Sequence, residues 1–290
     1  MSRRLPPRRG EIIDRRKPVE FTWNGEDVSG FEGDTIISAL AASGERIFSR
    51  SMKYHRPRGI LTADYWDPNC RLQVGDEPNV RAAHRLATDG LAVSAQNAWP
   101  SLDFDVRAAN GLMSRFLSAG FYYKTFMKPA RLWPAYEKVL ATFAPGGSVD
   151  LKTPHGYYDK RYAHPDVVVA GGGPAGMAAA LSAANEGARV MLVEHTHHLG
   201  GHLLIGDESE RAAAAKLADA VEAHPAIEVL IDSTVTGRYE DNWVAIVERS
   251  HPTVVERLIK ARTKVLVRSE EHTSELQSHS DLVCRLLLEK

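Results

Sequence analysis

Residues 166–176 read Asp-Val-Val-Val-Ala-Gly-Gly-Gly-Pro-Ala-Gly. Four apolar residues, Val167 to Ala170, run into Gly171-x-Gly173-x-x-Gly176, and an Ala-rich stretch follows. That order predicts a buried strand, a tight turn and a helix N-terminus. Such a corner offers backbone N–H groups and the positive end of a helix dipole to a pyrophosphate. Gly171 permits the turn, Gly173 lets a phosphate approach the backbone, and Gly176 lets the helix pack on the strand. Gly172, Pro174 and Ala175 complete the loop. A helix is expected over Met177–Glu186, closed by Gly187 in a left-handed conformation. A second strand, Ala188 to Val193, ends in Glu194, 18 residues after Gly176. A carboxylate there would accept from a ribose 2′-OH and repel a 2′-phosphate, so NAD or FAD fits better than NADP. His195 would lie along the same ribose.

Six residues after Glu194 comes Gly200-Gly201. A Glu followed by a glycine pair at this distance resembles the two-dinucleotide-binding-domain flavoproteins, in which the pair lets the chain pass close to the diphosphate. The resemblance also implies that Thr234-Val235 sets backbone against an adenine. A helix is expected over Glu210–Ala223 and strands over Ile227–Asp232, Trp243–Glu248 and Val254–Lys260. Lys264 to Val267 begins another strand. In those flavoproteins it continues into Ala-Thr-Gly and returns to the nucleotide; here that continuation is missing. His195, His197, His198 and His202 have irregular spacing, and their loop already serves the dinucleotide, so no metal is expected.

The N-terminal third reads differently. Val19 to Trp23 alternates as a strand, Asn24-Gly25 is a hairpin turn, and Glu26 to Phe31 returns. Asp34 or Thr35 caps a short helix, Ile36 to Ser43, closed by Gly44. Strand, hairpin and helix in that order open a β-grasp domain. The run Ser49-Arg-Ser-Met-Lys-Tyr-His-Arg-Pro-Arg-Gly-Ile60 closely resembles the alpha subunits of heterotetrameric sarcosine oxidases, and it is similar to opine and amino-acid dehydrogenases. Ser94 to Ser101, Phe104 to Val106 and Phe116 to Lys128 carry the resemblance further. Relatives with an iron–sulfur cluster place Cys-x4-Cys-x2-Cys after Arg-Gly, and a fourth Cys downstream. Here those positions fall on Thr62, Asp67, Cys70 and Ala83, so no 2Fe-2S cluster is expected. Cys70 reads as buried rather than reactive. The basic stretch Arg50, Lys53, His55, Arg56, Arg58 reads either as a solvated surface or as a holder of an anionic cofactor or partner. Seven aromatics between Phe121 and Phe143 suggest either packing between domains or subunits, or a local mini-core.

The resemblance implies an assembly that demethylates sarcosine to glycine, giving formaldehyde or methylene-tetrahydrofolate and hydrogen peroxide. It implies beta, gamma and delta subunits as partners, with FMN and tetrahydrofolate sites only in the intact complex, and a bound NAD in this region, FAD being the alternative. No catalytic residue is expected here, so the chain reads as a cofactor-binding fragment of an enzyme, inactive alone. The alternatives are a subunit of an FAD-dependent opine or amino-acid dehydrogenase, or a non-enzymatic assembly scaffold.

The chain has 290 residues, with 36 basic and 37 acidic side chains. From Arg268 the register changes, and Arg268 to Ser278 resembles the translation of a sequencing adapter. Those last 23 residues carry three basic and five acidic groups, so the remainder has a net charge of +1. Near-neutral balance argues against a general nucleic-acid binder. No apolar run approaches membrane length. One cysteine outside the tail precludes a disulfide framework and fits the cytoplasm. The expected organisation is α+β followed by α/β. It comprises a basic flexible arm (1–17), a cluster-free β-grasp ferredoxin-like domain (18–100) and a helical, aromatic-rich connection (101–160). An incomplete Rossmann-like FAD/NAD(P)-binding domain (161–267) and the adapter-like tail (268–290) follow.

Overall fold

The computed structural model describes residues 4–52, 54–62, 67–111, 129–143, 146–149, 151–152, 156–251 and 255–269. They fall into two compact units, 1–154 and 155–290.

In the first unit, β1 (Asp14–Trp23) and β2 (Glu26–Glu32) form the expected hairpin, with Trp23 opposite Glu26. Asn24 and Gly25 take φ of 51° and 90°, the pair of left-handed conformations that a two-residue hairpin turn requires. Helix α1 (Ile36–Ser43) is capped by the Thr35 side chain, which accepts from Ser38 N–H, and is closed by Gly44 at φ 117°. Strands β3 (Ser49–Arg50) and β4 (Pro57–Arg58) make a small ribbon. Strands β5 (Arg71–Val74), β6 (Glu77–Arg81) and β7 (Ala92–Ala95) join the hairpin in the order β2-β1-β7-β5-β6, with β1 and β7 parallel. This mixed sheet with one packed helix is the β-grasp layout. Its core gathers Phe21, Trp23, Ile36, Leu40, Phe48, Cys70 and Leu72.

The basic arm is shorter than the sequence suggests. Asp14 to Lys17 already belong to β1: Asp14 stands opposite Glu32, and Lys17 Nζ lies 2.8 Å from Glu32 Oε2. Further out, Arg4 makes a two-pronged contact with the buried Asp34 carboxylate, at 3.0 and 2.6 Å. Sequence reading weighs the arm's charge but has no view of the carboxylates waiting across the hairpin. Most of the aromatic run from Phe121 lies outside the described residues; Trp133 opens helix α2 (Trp133–Phe143) and is 41% exposed.

The second unit has two sheets. Strand β8 (Tyr158–Ala163), which carries no clear apolar alternation, is followed by β9 (Val167–Ala170), helix α3 (Pro174–Asn185) and β10 (Val190–Val193). Helix α4 (Glu208–Glu222) starts at Asp207, whose side chain accepts from Glu210 N–H while Glu210 reaches back to Asp207 N–H. Then come β11 (Ile227–Leu230), β12 (Ser233–Arg238), β13 (Trp243–Glu248), β14 (Glu256–Arg262) and β15 (Val265–Arg268). The first sheet runs β11-β10-β9-β15, all parallel. Its β9 and β10 are buried on both faces, which explains why Val167–Ala170 and Val190–Val193 are unbroken apolar runs. Met177, Ala180 and Ala184 of α3 cover one face with Val221 of α4. The second sheet, β12-β13-β14-β8, packs Val244, Ile246, Ile259 and Ala261 against Val168, Met191 and Val193 on the other. No helix among the described residues is long and apolar enough to cross a membrane.

Strand β15 pairs with β9 one residue further than the apolar pattern implies: Arg268 stands opposite Ala170, and Ser269 N–H donates to Ala170 O at 2.9 Å. The chain therefore does return to the glycine loop. Backbone pairing needs no apolar side chain, so the polar residues after Val267 hide it from sequence.

Candidate functional site: a glycine-loop cradle and a closed cluster loop

The loop between β9 and α3 is fixed by contacts that only glycine allows. Gly171 takes φ 109° and donates to Val193 O at 2.8 Å. A Cβ on Gly176 would fall 1.9 Å from Gly171 O, so the helix starts in direct backbone contact with the strand end. Gly173 is the N-cap and Pro174 the first helical residue, where its missing N–H costs nothing. Met177 N–H closes the first turn on Gly173 O at 2.9 Å. The first-turn amides, at the positive end of a 12-residue helix, have no intrahelical acceptor.

Glu194 follows β10 and is 4% exposed. Its Oε2 accepts from Gly172 N–H at 2.5 Å, and its Oε1 accepts from Thr196 N–H and Oγ1 at 2.7 and 2.8 Å. His195 Nδ1 lies 3.1 Å from the same Oε1. The carboxylate therefore holds the glycine loop. Carboxylate oxygens carry about four acceptor sites in all, so Oε2 keeps capacity beyond Gly172. Gly200 N–H donates to Gly172 O at 2.9 Å, and Gly200 and Gly201 both take positive φ, so the glycine pair lies directly against the loop. A Cβ on Gly200 would fall 2.8 Å from Leu204 Cδ2. Gly171 to Gly176, Glu194, His195, Gly200 and Gly201 are thus one neighbourhood. Val235 is not brought into it: Ser233, two residues earlier, donates its N–H to Glu194 O at 2.8 Å, while Val235 pairs with Ile246 and packs against the core between the sheets.

The histidines of the following loop take different partners. His197 Nδ1 lies 3.6 Å from Asp232, and burial, aided by the His197 charge, pushes His198 below the ordinary histidine value.

In the first unit, the loop that would carry cluster cysteines is held by Asp67. This carboxylate is 1% exposed and accepts four backbone N–H groups: Leu61 at 2.7 Å, Thr62 at 2.9 Å, Asn69 at 2.8 Å and Cys70 at 3.1 Å. Burial alone would raise its pKa. The four amides outweigh that and hold Asp67 below the usual carboxylate range. Cys70 is fully buried, and burial beside the Asp67 charge pushes its thiol far above the ordinary value. A ferredoxin-type 2Fe-2S cluster needs four thiolates. One buried thiol, a threonine, a carboxylate already spent on amides and an alanine do not fit a 2Fe-2S cluster. The nearby basic stretch divides: Arg50 and His55 brace the interior, while Arg56 and Arg58 are exposed. Arg50 donates to His55 O and Leu102 O, and the buried His55 Nδ1 is 2.8 Å from Asp105 Oδ2. Arg58 donates to Asn69 Oδ1, and Arg56 covers the Tyr54 ring. Lys53 lies outside the described residues. Sequence reading missed Asp105, whose only signal is the second of two acids in a Ser-Leu-Asp-Phe-Asp run.

Comparisons with known proteins follow this geometry. The family described as "2Fe-2S iron-sulfur cluster binding domain" matches residues 16–98, and "FAD dependent oxidoreductase" matches 166–252. The alpha subunit of sarcosine oxidase from Rhizobium meliloti (strain 1021) is 45% identical over 253 residues, which is 84% of this chain and 26% of the relative. Over most of its length, the chain is similar to sarcosine oxidase alpha subunits. The sarcosine oxidase alpha subunit of Corynebacterium sp. (strain P-1) is 32% identical over 256 residues, covering 86% of the chain and 22% of that subunit. The chain thus spans about a quarter of the length of these sarcosine oxidase subunits. Among solved structures, L-proline dehydrogenase from P. horikoshii shares the fold with a TM-score of 0.57 at 17% identity, over 88% of this chain and 42% of that one. The architecture is therefore a ferredoxin-like domain followed by a Rossmann-like FAD-dependent oxidoreductase region.

Proposed function

We propose that the second unit holds the adenosine diphosphate half of a dinucleotide, within an oxidoreductase assembly of the sarcosine oxidase type. The observation that carries this reading is the Gly176–Gly171 backbone contact, which aims the α3 N-terminus past a loop tied down by Glu194. Glu194, with spare acceptor capacity on Oε2, would take the ribose hydroxyls, and Gly200-Gly201 would flank the diphosphate. NAD, expected from sequence, and FAD, named in the matched family description, share this half. The chain's part would be cofactor binding and assembly with beta, gamma and delta partners. Sarcosine demethylation, with its FMN and folate chemistry, would belong to the complete assembly.

The test is the nucleotide released when the purified protein, co-expressed with its partner subunits, is denatured. A yellow nucleotide absorbing near the flavin bands identifies FAD; a colourless one that reduces to NADH identifies NAD. Gly173→Val is expected to abolish retention, because a branched side chain would fill the phosphate path. Retention at the wild-type level would refute the site.

For the first unit we propose a β-grasp domain that works without a cluster. Iron analysis of the same preparation is expected to give far less than two irons per chain. A red-brown first unit with stoichiometric iron and sulfide would overturn this.

A further inference from the structure

The outward face of the sheet β12-β13-β14-β8 carries a stripe that the dinucleotide reading leaves unused. Alternation along the strands points Tyr158, Lys160 and Tyr162 of β8, Lys260 and Arg262 of β14, and Trp243 of β13 away from the core. Tyr158 and Tyr162 are 58% and 63% exposed. Lys260 Nζ lies 5.6 Å above the Tyr162 ring, and Arg262 Cζ lies 6.0 Å above the Trp243 ring. The two rings meet edge-to-face, with centroids 6.4 Å apart, and His164 meets Trp243 in the same manner at 6.1 Å. Along strand β14, Glu256 is paired with Arg249 at 2.9 Å. A cleft of about 470 Å³ opens at the end of the stripe. Arg262 and His164 line it, as do Arg189 and Lys264, which share Asp166; Asp241 is a second carboxylate in the lining, so cations outnumber acids there.

We infer that this face docks an extended acidic segment of another protein chain, lying along β8. Three observations carry this. The face is cationic, so carboxylates are its complement. Lys260 and Arg262 rest on aromatic rings, which restricts their side chains and lowers the entropy lost when a carboxylate binds. Strand β8 is the last strand of its sheet among the described residues, so its free edge can add an extended segment by backbone pairing. Nucleic acid fits less well: Lys260 and Arg262 cover the ring faces on which bases would stack.

The probe is a fluorescein-labelled 12-residue peptide alternating glutamate and valine, followed by anisotropy with the full chain at about 50 mM salt. A glutamine-for-glutamate peptide and a 12-nucleotide oligothymidylate serve as comparisons. The wild-type chain is expected to bind the glutamate peptide and neither comparison. Lys260→Glu/Arg262→Glu should weaken binding at least about tenfold. Lys160→Glu should do so about threefold, and Lys216→Glu, an exposed cation on α4, by less than about twofold. Thermal melts identical to wild type check that these exposed substitutions leave the fold intact. Binding unaffected by the double charge reversal, no binding by the wild-type chain, or equal binding of oligothymidylate would each overturn the inference.

Discussion

Gly176→Ala is expected to unfold the corner between β9 and α3 and to remove nucleotide retention with it. The added methyl would sit 1.9 Å from Gly171 O. Neither side can give way cheaply. Gly171 is tied to Val193 O at 2.8 Å, and α3 is packed through the fully buried Met177 and Ala180. Ordinary overpacking costs about 1–3 kcal/mol, and a methyl driven into a fixed backbone carbonyl belongs at or above the top of that range. Gly187→Ala supplies the contrast. Gly187 also closes a turn of α3, at φ 84°, but a Cβ there meets nothing within 4 Å. Its cost should be only the left-handed penalty of about 1–2 kcal/mol. Urea unfolding followed by circular dichroism compares the two. Equal, small losses would mean that the Gly171–Gly176 contact does not set the loop.

Asp67→Ala should be the most damaging single substitution in the first unit outside its apolar core. It leaves the amides of Leu61, Thr62, Asn69 and Cys70 without their shared acceptor. A buried polar group left unpaired costs about 1–3 kcal/mol, and partial entry of water keeps four from adding fully, so a loss of about 3–5 kcal/mol is expected. Asp67→Asn, which keeps one acceptor oxygen, should lose about half as much. The pH dependence has a definite sign. The folded-state pKa of Asp67 is lowered, so its contribution is fully present above the unfolded value. That contribution is lost as the pH falls through the lower folded value. The difference in stability between wild type and Asp67→Asn should therefore be constant near neutrality and shrink only below about pH 4. An Asp67→Ala loss under about 1 kcal/mol would show that the amides find other acceptors.

Much of this fold was legible because it rests on local chemistry. Asn24-Gly25 can make only one kind of turn, Thr35 and Gly44 bracket α1 by their own conformational preferences, and Gly171-x-Gly173-x-x-Gly176 announces its corner. What stayed hidden depends on distant partners. Strand β8 is a polar hexapeptide whose strand state comes from pairing with β14, almost a hundred residues later. The boundaries of β1 and β15 shifted because backbone pairing extends where apolar pattern does not. At the site, the position of Glu194 suggests a ribose acceptor, but its hold on Gly172 depends on how the loop folds back and is not written in the spacing. Asp67 was visible only as a missing cysteine. That its two oxygens gather four amides depends on how the chain closes on both sides of it, which composition and spacing do not encode.

The Asp67 loop has a consequence for how this chain is made. A domain ordered around iron and sulfide depends on metal supply, on an insertion machinery and on thiols kept reduced until the cluster arrives. Here the group that gathers the loop amides is synthesised with the polypeptide. A loop gathered by its own carboxylate can close without waiting for a metal. The thiol beside it, Cys70, is sealed in the core with no exposed surface.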